Sequence, residues 1–292
     1  MKNIWLVVPC YNEEEVLPET SRQLKAVMQS MIDSGKISPE SKIAFVNDGS
    51  KDNTWNIISA LCTDDGIFAG INLSRNKGHQ NALLAGLMTA KKYADAVISL
   101  DADLQDDVDA IEKMVDNFIA GDDIVYGVRS SRKKDTFFKR FTAEGFYKFM
   151  AAMGVEIVFN HADYRLMSRR ALDALSEFDE VNLFLRGIVP QIGFRTSTVE
   201  YERKERLAGE SKYPLKKMLS FAFEGITSFS VRPLKIATTL GIFSLLVCLA
   251  MLIYCIVSKA TGHAVAGWAS IGASAVSYTH LRAHETAANL VC

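Results

Sequence analysis

The sequence predicts an α/β domain built on a doubly wound, mostly parallel sheet and followed by one helix long enough to cross a membrane. Three observations carry this. Short runs that are apolar throughout alternate with longer amphipathic stretches, the pattern of strands buried on both faces between crossover helices. Several of these runs stop abruptly at polar or acidic turns, which a doubly wound topology collects at one sheet edge. Finally, residues 236–258 hold 23 positions without a charge, bracketed by Lys235 and Lys259.

The elements follow in order. Residues 4–8 are an apolar run ended by Pro9, read as a buried strand. Cys10-Tyr11-Asn12-Glu13-Glu14 is expected to open a helix with acids in its first turn, continuing with Leu17, Leu24, Val27, Met28 and Met31 on one face and stopping at Ser34-Gly35. Residues 42–46 form a second strand ending in Asn47-Asp48-Gly49-Ser50, and residues 68–73 a third running into Ser74-Arg75-Asn76-Lys77-Gly78. Small residues at Ala82, Ala85, Gly86 and Ala90 let the next helix lie close to the sheet.

A fourth strand, residues 96–100, delivers Asp101-Ala102-Asp103-Leu104-Gln105-Asp106-Asp107. Residues i and i+2 of a strand point the same way, so Asp101 and Asp103 can share a side while Ala102 takes little room. Hard oxygen ligands of this kind suit Mg²⁺ or Mn²⁺, which draw their remaining ligands from water and substrate phosphates. Asp106 and Asp107 are read as a solvated acidic turn capping the next helix, residues 111–119. Residues 123–128 make a fifth strand ending in Arg129.

From Ser130 the pattern changes to a polar loop and an aromatic helix with Phe137, Phe138, Phe141, Phe146, Tyr147 and Phe149, equally readable as core or as a lipid-facing surface. An extended segment follows with Asp163 and Arg165 two apart, then a short helix, an apolar stretch around Arg186, and a strand over residues 196–201. Residues 203–232 hold a basic loop with Arg206 and Lys212, then an amphipathic stretch suited to a bilayer surface.

Composition narrows the function classes. A net charge of −1 gives no hint of a nucleic-acid partner, since no basic face is needed to explain it. Cys10, Cys62, Cys248, Cys255 and Cys292 are odd in number and lack metal spacing, which suits free thiols in a reducing compartment. The first apolar run is too short for a signal-peptide core, so the chain is expected to begin in the cytosol. Twenty-three helical residues reach about 34 Å at 1.5 Å each, enough to cross a hydrocarbon core of about 30 Å. The basic residues before the span put that side in the cytoplasm by the positive-inside rule. The layout expected is a catalytic domain over residues 1–202, a juxtamembrane segment over 203–232, a transmembrane helix over 233–258 and a partial second hydrophobic segment over 259–292, located on the cytosolic face of the cytoplasmic membrane.

No G-x-G-x-x-G or G-x-x-x-x-G-K-[ST] follows any strand, which disfavours dinucleotide and P-loop chemistry. A nucleotide diphosphate fits the strand ends: Asp48 can accept from a base or ribose, and a metal on Asp103 can neutralise the diphosphate. Val8-Pro9-Cys10-Tyr11-Asn12-Glu13, Val46-Asn47-Asp48-Gly49-Ser50, Asp101-Ala102-Asp103-Leu104-Gln105, Asp163-Tyr164-Arg165-Leu166 and the stretch from Arg206 to Tyr213 resemble, in order and spacing, the family 2 glycosyltransferases. More narrowly they resemble its polyprenyl-phosphate branch, over about residues 1–258.

The resemblance implies a GT-A fold, a nucleotide-sugar donor, a divalent metal and a membrane polyprenyl phosphate as acceptor; self-association is left open. It implies that Pro9, Tyr11, Glu13, Val46 and Asp48 contact the donor, with Ala102 beside them, and that Asp101, Asp103 and Gln105 form the metal and diphosphate site. Arg129 would begin an acceptor loop, Asp163 would stand on the acceptor side, and Arg206 and Lys212 would bind phosphate. Plain structural roles stay open for Pro9 as a strand end, Arg165 as a buried salt-bridge partner, His79 and His161 as satisfied polar groups, and Lys77 as a solvated strand-end base.

A polyprenyl phosphate has a second pKa near 6, so at neutral pH much of it is already a nucleophilic dianion. The expected chemistry is inverting hexose transfer, UDP-glucose favoured over GDP-mannose and over a modified arabinose or hexosamine donor. A processive polysaccharide synthase would want a Q-x-x-R-W segment and more spans; Gln191 to Arg195 lacks the Trp. A non-catalytic scaffold would be expected to lose the costly carboxylates first. Residues 264–276 are thirteen apolar positions, short of the ~20 a span needs, and the tail from Tyr278 matches nothing in the family pattern. It reads as translated adaptor sequence, with the native second span cut short.

Overall fold

The computed structural model describes residues 1–129, 161–178, 185–202 and 232–262. The chain divides into two compact units, Met1–Phe229 and Ser230–Cys292.

In the first unit the expected α/β sheet forms. Its strands are β1 (Ile4–Cys10), β2 (Lys42–Asn47), β3 (Phe68–Asn72), β4 (Ala96–Ser99), β5 (Ile124–Arg129), β6 (His161–Ser168) and β7 (Thr196–Tyr201). They lie in the order β3-β2-β1-β4-β6-β5-β7, with β6 antiparallel to both its neighbours and the other pairs parallel. Among the described residues its α-helices are α1 (Leu17–Asp33), α2 (Thr54–Asp64), α3 (His79–Ala90), α4 (Ala110–Ile119), α5 (Arg169–Leu175) and the single turn α6 (Leu185–Ile188).

Strand alternation explains the layering. Ile4, Leu6, Val8 and Cys10 of β1 pack with Leu17, Leu24, Met28 and Met31 of α1, Ile58 of α2 and Ile111, Met114 and Val115 of α4. Trp5 and Val7 point the other way, among Ala82, Leu83, Leu87 and Ala90 of α3, Leu172 of α5 and Ile188 of α6. Both faces are therefore covered, and a seven-residue strand buried at every position is the result. Each large aliphatic side chain so buried contributes about 1.5–3 kcal/mol. Gly86 explains how α3 sits so close: a Cβ there would overlap Val7 and come within 2.8 Å of Val46.

Two expected boundaries are wrong: β1 is not ended by Pro9 but runs on through Cys10, with Pro9 paired to Val46, and the first helix starts later. No helix opens at residues 10–14; α1 begins at Leu17. Asn12 stands at φ 55, and the chain's amides go sideways to the next loop. Asn12 N donates to Ser50 Oγ (3.0 Å), Glu13 N to Thr54 Oγ1 (2.9 Å) and Glu14 N to Asp52 Oδ2 (3.2 Å), while Asn12 Oδ1 accepts from Lys51 N (2.8 Å). These long-range partners satisfy amides that a helix start would leave open.

In the second unit, α7 (Arg232–Ala260) is a continuous helix. Among the described residues it is the one helix long and apolar enough to cross a membrane, by length and composition, over Lys235–Ala260 with mean hydropathy 2.8. Its large side chains, among them Leu240, Phe243, Leu246 and Ile253, are exposed. The aromatic run at 137–149, the loop with Arg206 and Lys212, the amphipathic stretch to residue 229 and the apolar stretch 264–276 lie outside the described residues.

Candidate active site

Parallel pairing of β1 with β2 and with β4 puts the carboxyl ends of these three strands at one edge. β6 runs the other way, so residues near its start reach the same edge: Ser99 of β4 is paired with Arg165. Asp101, Asp103 and Asp163 meet there because of topology, not proximity in sequence.

Just past the end of β2, Asp48 is buried and both its oxygens are engaged. Oδ1 accepts from Lys77 N (2.7 Å) and Oδ2 from Gly78 N (2.9 Å), so Asp48 clamps the loop after β3. Gly49, at φ +64, allows this, since a Cβ there would come within 2.6 Å of the backbone of Arg75 and Asn76. Tyr11 is exposed, Glu13 half-buried, and Pro9 pairs in register with Val46. Val46 is wholly buried, against the position of Gly86, so whatever it offers a donor comes from its backbone.

The loop after β4 is tightly held. Ala102 is buried and its carbonyl accepts from Thr20 Oγ1 of α1 at 2.7 Å. Gln105 N donates to Asp103 Oδ1 at 3.2 Å. Leu104, between them, stands at φ 55, a left-handed conformation rare for a bulky residue and common at functional sites. Asp101 is half-buried. Burial, with the charges of Asp106, Asp163 and Asp103 adding to it and His79 opposing, pushes its carboxyl up to about 6.

The reading of Asp106 as solvated is corrected. Asp106 is 4% exposed and accepts from Tyr201 Oη at 2.5 Å, with Arg129 Nη2 at 3.8 Å. Nor does the acidic turn cap the following helix with a side chain: the residue before α4 is Asp109, which makes no side-chain cap bond. Arg129 Nε also points to Tyr201 Oη, at 3.4 Å.

Asp163, near the start of β6, is the hub of a second cluster at this edge. It accepts from Arg165 Nη2 (2.5 Å), Arg186 Nη2 (3.0 Å) and Gln80 Nε2 (3.3 Å), and His79 Nε2 stands 3.6 Å away. Burial disfavours its ionised form, yet the nearby His79 imidazole and the charges of Arg186 and Arg165 hold the carboxyl well below the usual range. His79 lies equally 3.6 Å from Asp101 and so bridges the two carboxylates. Arg165 is 2% exposed as Asp163's partner.

Sequence reasoning gave no role here to Gln80, Arg186 and Tyr201. The signals existed: Gln80 follows a loop at a strand's carboxyl end, Arg186 is a charge inside an apolar run, and Tyr201 closes a strand. Arg206 and Lys212 lie outside the described residues.

Among the described residues no group of three or more His, Cys, Asp or Glu side chains is arranged to hold a metal alone. The donor set nevertheless fits one: burial, and after it the neighbouring carboxylates, raise Asp101, and two hard oxygen donors suit an ion that completes its shell with water and phosphate oxygens.

Residues 5–176 match the family model described as glycosyl transferase family 2. The uncharacterized glycosyltransferase YkoT of Bacillus subtilis is 53% identical over 266 residues, 91% of this chain and 79% of that protein. The bactoprenol glucosyl transferase of Shigella phage SfV is 42% identical over 242 residues, 82% of this chain and 76% of that protein. Among solved structures, mannosyl-3-phosphoglycerate synthase from Rubrobacter xylanophilus shares the fold, with TM-score 0.51 at 12% identity over 79% of this chain and 74% of that one. With a mostly parallel α/β sheet of GT-A type and a family match over most of it, the chain belongs to glycosyl transferase family 2 and is a glycosyltransferase.

Proposed function

We propose that this glycosyltransferase moves a hexose, glucose from UDP-glucose in the first place, onto a membrane polyprenyl phosphate with inversion at the anomeric carbon. The observation that carries the reading is the single edge where Asp48, Asp101, Asp103 and Asp163 converge. Relatives named bactoprenol glucosyl transferase, 42% identical over 82% of the chain, support the acceptor class.

Pro9, Tyr11, Glu13 and Asp48 line the donor side, and Asp101, Asp103 and Gln105 present oxygen donors toward its diphosphate. Mg²⁺ or Mn²⁺ bound there supplies charge neutralisation for the departing diphosphate. Asp163, saturated by Arg165, Arg186, Gln80 and His79, orients the acceptor or sugar and does not take a proton. The acceptor needs no strong base, because a phosphate monoester is largely dianionic at neutral pH. Arg206 and Lys212 grip its phosphate, and α7 anchors the enzyme with its catalytic domain on the cytosolic face.

The test is incubation of the protein with undecaprenyl phosphate and a panel of labelled nucleotide sugars, followed by lipid extraction and assignment of the product anomer. Label in the lipid phase from UDP-glucose, with the anomer opposite to the donor's, is expected. Label confined to a polysaccharide, or a product of retained configuration, overturns the reading.

A further inference from the structure

The loop between β4 and α4 does not hold its shape unaided, since Leu104 stands in the left-handed region. Three hydroxyls from three elements grip it. Thr20 of α1 donates to the Ala102 carbonyl at 2.7 Å, and Tyr164 of β6 donates to the Asp107 carbonyl at 2.9 Å. The third hydroxyl takes a side chain: Tyr201, the last residue of β7, donates to the Asp106 carboxylate at 2.5 Å. Tyr201 is buried, its ring edge-on to Tyr164 with centroids 5.3 Å apart, and Arg129 at the end of β5 reaches both its hydroxyl (3.4 Å) and Asp106 (3.8 Å). Burial and the Asp106 charge push the Tyr201 phenol up, which keeps it a donor across the neutral range.

We propose that Tyr201 is a positioning residue for the carboxylate loop: its hydroxyl, through Asp106, sets where Asp101 and Asp103 stand toward the donor's diphosphate. This rests on the reading of those two aspartates as the metal and diphosphate site. The path is short. Asp106 adjoins Gln105, whose amide is bonded to Asp103 at 3.2 Å. Without the Tyr201 hydroxyl a buried carboxylate loses its short donor, and such a group turns to another cation or to water. Arg129 is a cation already in reach, at 3.8 Å, and a swing toward it would draw Gln105, Leu104 and Asp103 along.

The experiment uses the full chain in detergent, titrating UDP and, separately, GDP over a series of Mn²⁺ concentrations by calorimetry, with melting midpoints taken on the same samples. Tyr201→Phe, which keeps the ring stack, is expected to raise the Mn²⁺ concentration for half-maximal nucleotide binding by about tenfold, the scale of one hydrogen bond to a charged group. Asp106→Leu should match it, and Asp106→Asn, which still offers an oxygen to the hydroxyl, should recover most of the loss. A wild-type Mn²⁺ dependence in Tyr201→Phe or Asp106→Leu overturns the proposal, whatever the melting midpoints do. Should Tyr201→Phe not fold, the two Asp106 variants carry the same comparison. Asp103→Ala separates the two levels: binding that keeps its Mn²⁺ dependence there overturns the metal site itself. Loss in Asp103→Ala with no change in Tyr201→Phe overturns only the role of Tyr201.

Discussion

Asp163 Oδ1 lies 2.5 Å from Arg165 Nη2, two residues along the same strand and with both side chains at 5% exposure or less. A carboxylate buried against one guanidinium and forked by a second, that of Arg186, is a fixed charge and not a proton shuttle. Asp163→Asn should abolish most transfer, and raising the pH from 6 to 8 should not restore it. Recovery with rising pH in a transfer assay would return Asp163 to the role of general base.

The same pair sets an acid limit on stability. The folded-state carboxyl is held below its ordinary value, so its contribution is fully present above the unfolded value near 3.9 and fades as pH falls below it. Leaving Arg165 buried without its anion costs about 3–5 kcal/mol. Asp163→Asn should therefore melt earlier at pH 7 and lose less stability than wild type between about pH 4 and pH 2, as read by denaturant midpoints.

Asp103→Ala should remove transfer and metal-dependent nucleotide binding while the fold persists, because Asp103, though only 8% exposed, lies past the end of β4 and outside the sheet's ladders. Undiminished turnover in that variant, or in excess chelator, would refute a metal-dependent donor site.

Gly49→Ala should cost about 1–2 kcal/mol from its positive φ alone, and more from the clash with Arg75 and Asn76. The loop that Asp48 clamps would shift, so the donor KM should rise well before the melting midpoint collapses. An unchanged KM would mean that the loop after β3 has no part in donor binding.

Arg206→Ala and Lys212→Ala should impair transfer severely, and Arg206→Lys should recover only part, because a planar guanidinium can grip a phosphate bidentately where an ammonium cannot. Normal transfer to lipid phosphate by the two alanine variants would end this account of the acceptor.

The first five strands were legible because each is a short, mostly apolar run with a polar end; β6 was legible only as an extended segment, and β7 from its alternation over 196–201. The start of α1 was not, because side chains of Ser50, Asp52 and Thr54, some forty positions away, take the amides that local pattern assigned to a helix. Asp106 was misread for a related reason. Nothing near it in sequence shows that Tyr201 will lie over it, and an aspartate without its partner looks like any surface acid. Pairs such as Asp163 and Arg165 were visible as a spacing, whereas Arg186 and Gln80 become their neighbours only once the sheet has formed.

The reversed direction of β6 has one more consequence. β5 ends and β6 begins at the same edge, with Val128 paired to His161, so the segment between them departs from and returns to the rim of the site. Its two anchors are fixed by ladders that run through residues 124–128 and 161–167, and neither ladder counts the residues in between. The segment can thus be lengthened, shortened or exchanged without a slip in strand register, which leaves the chemistry-bearing ends of β1, β2 and β4 where they are.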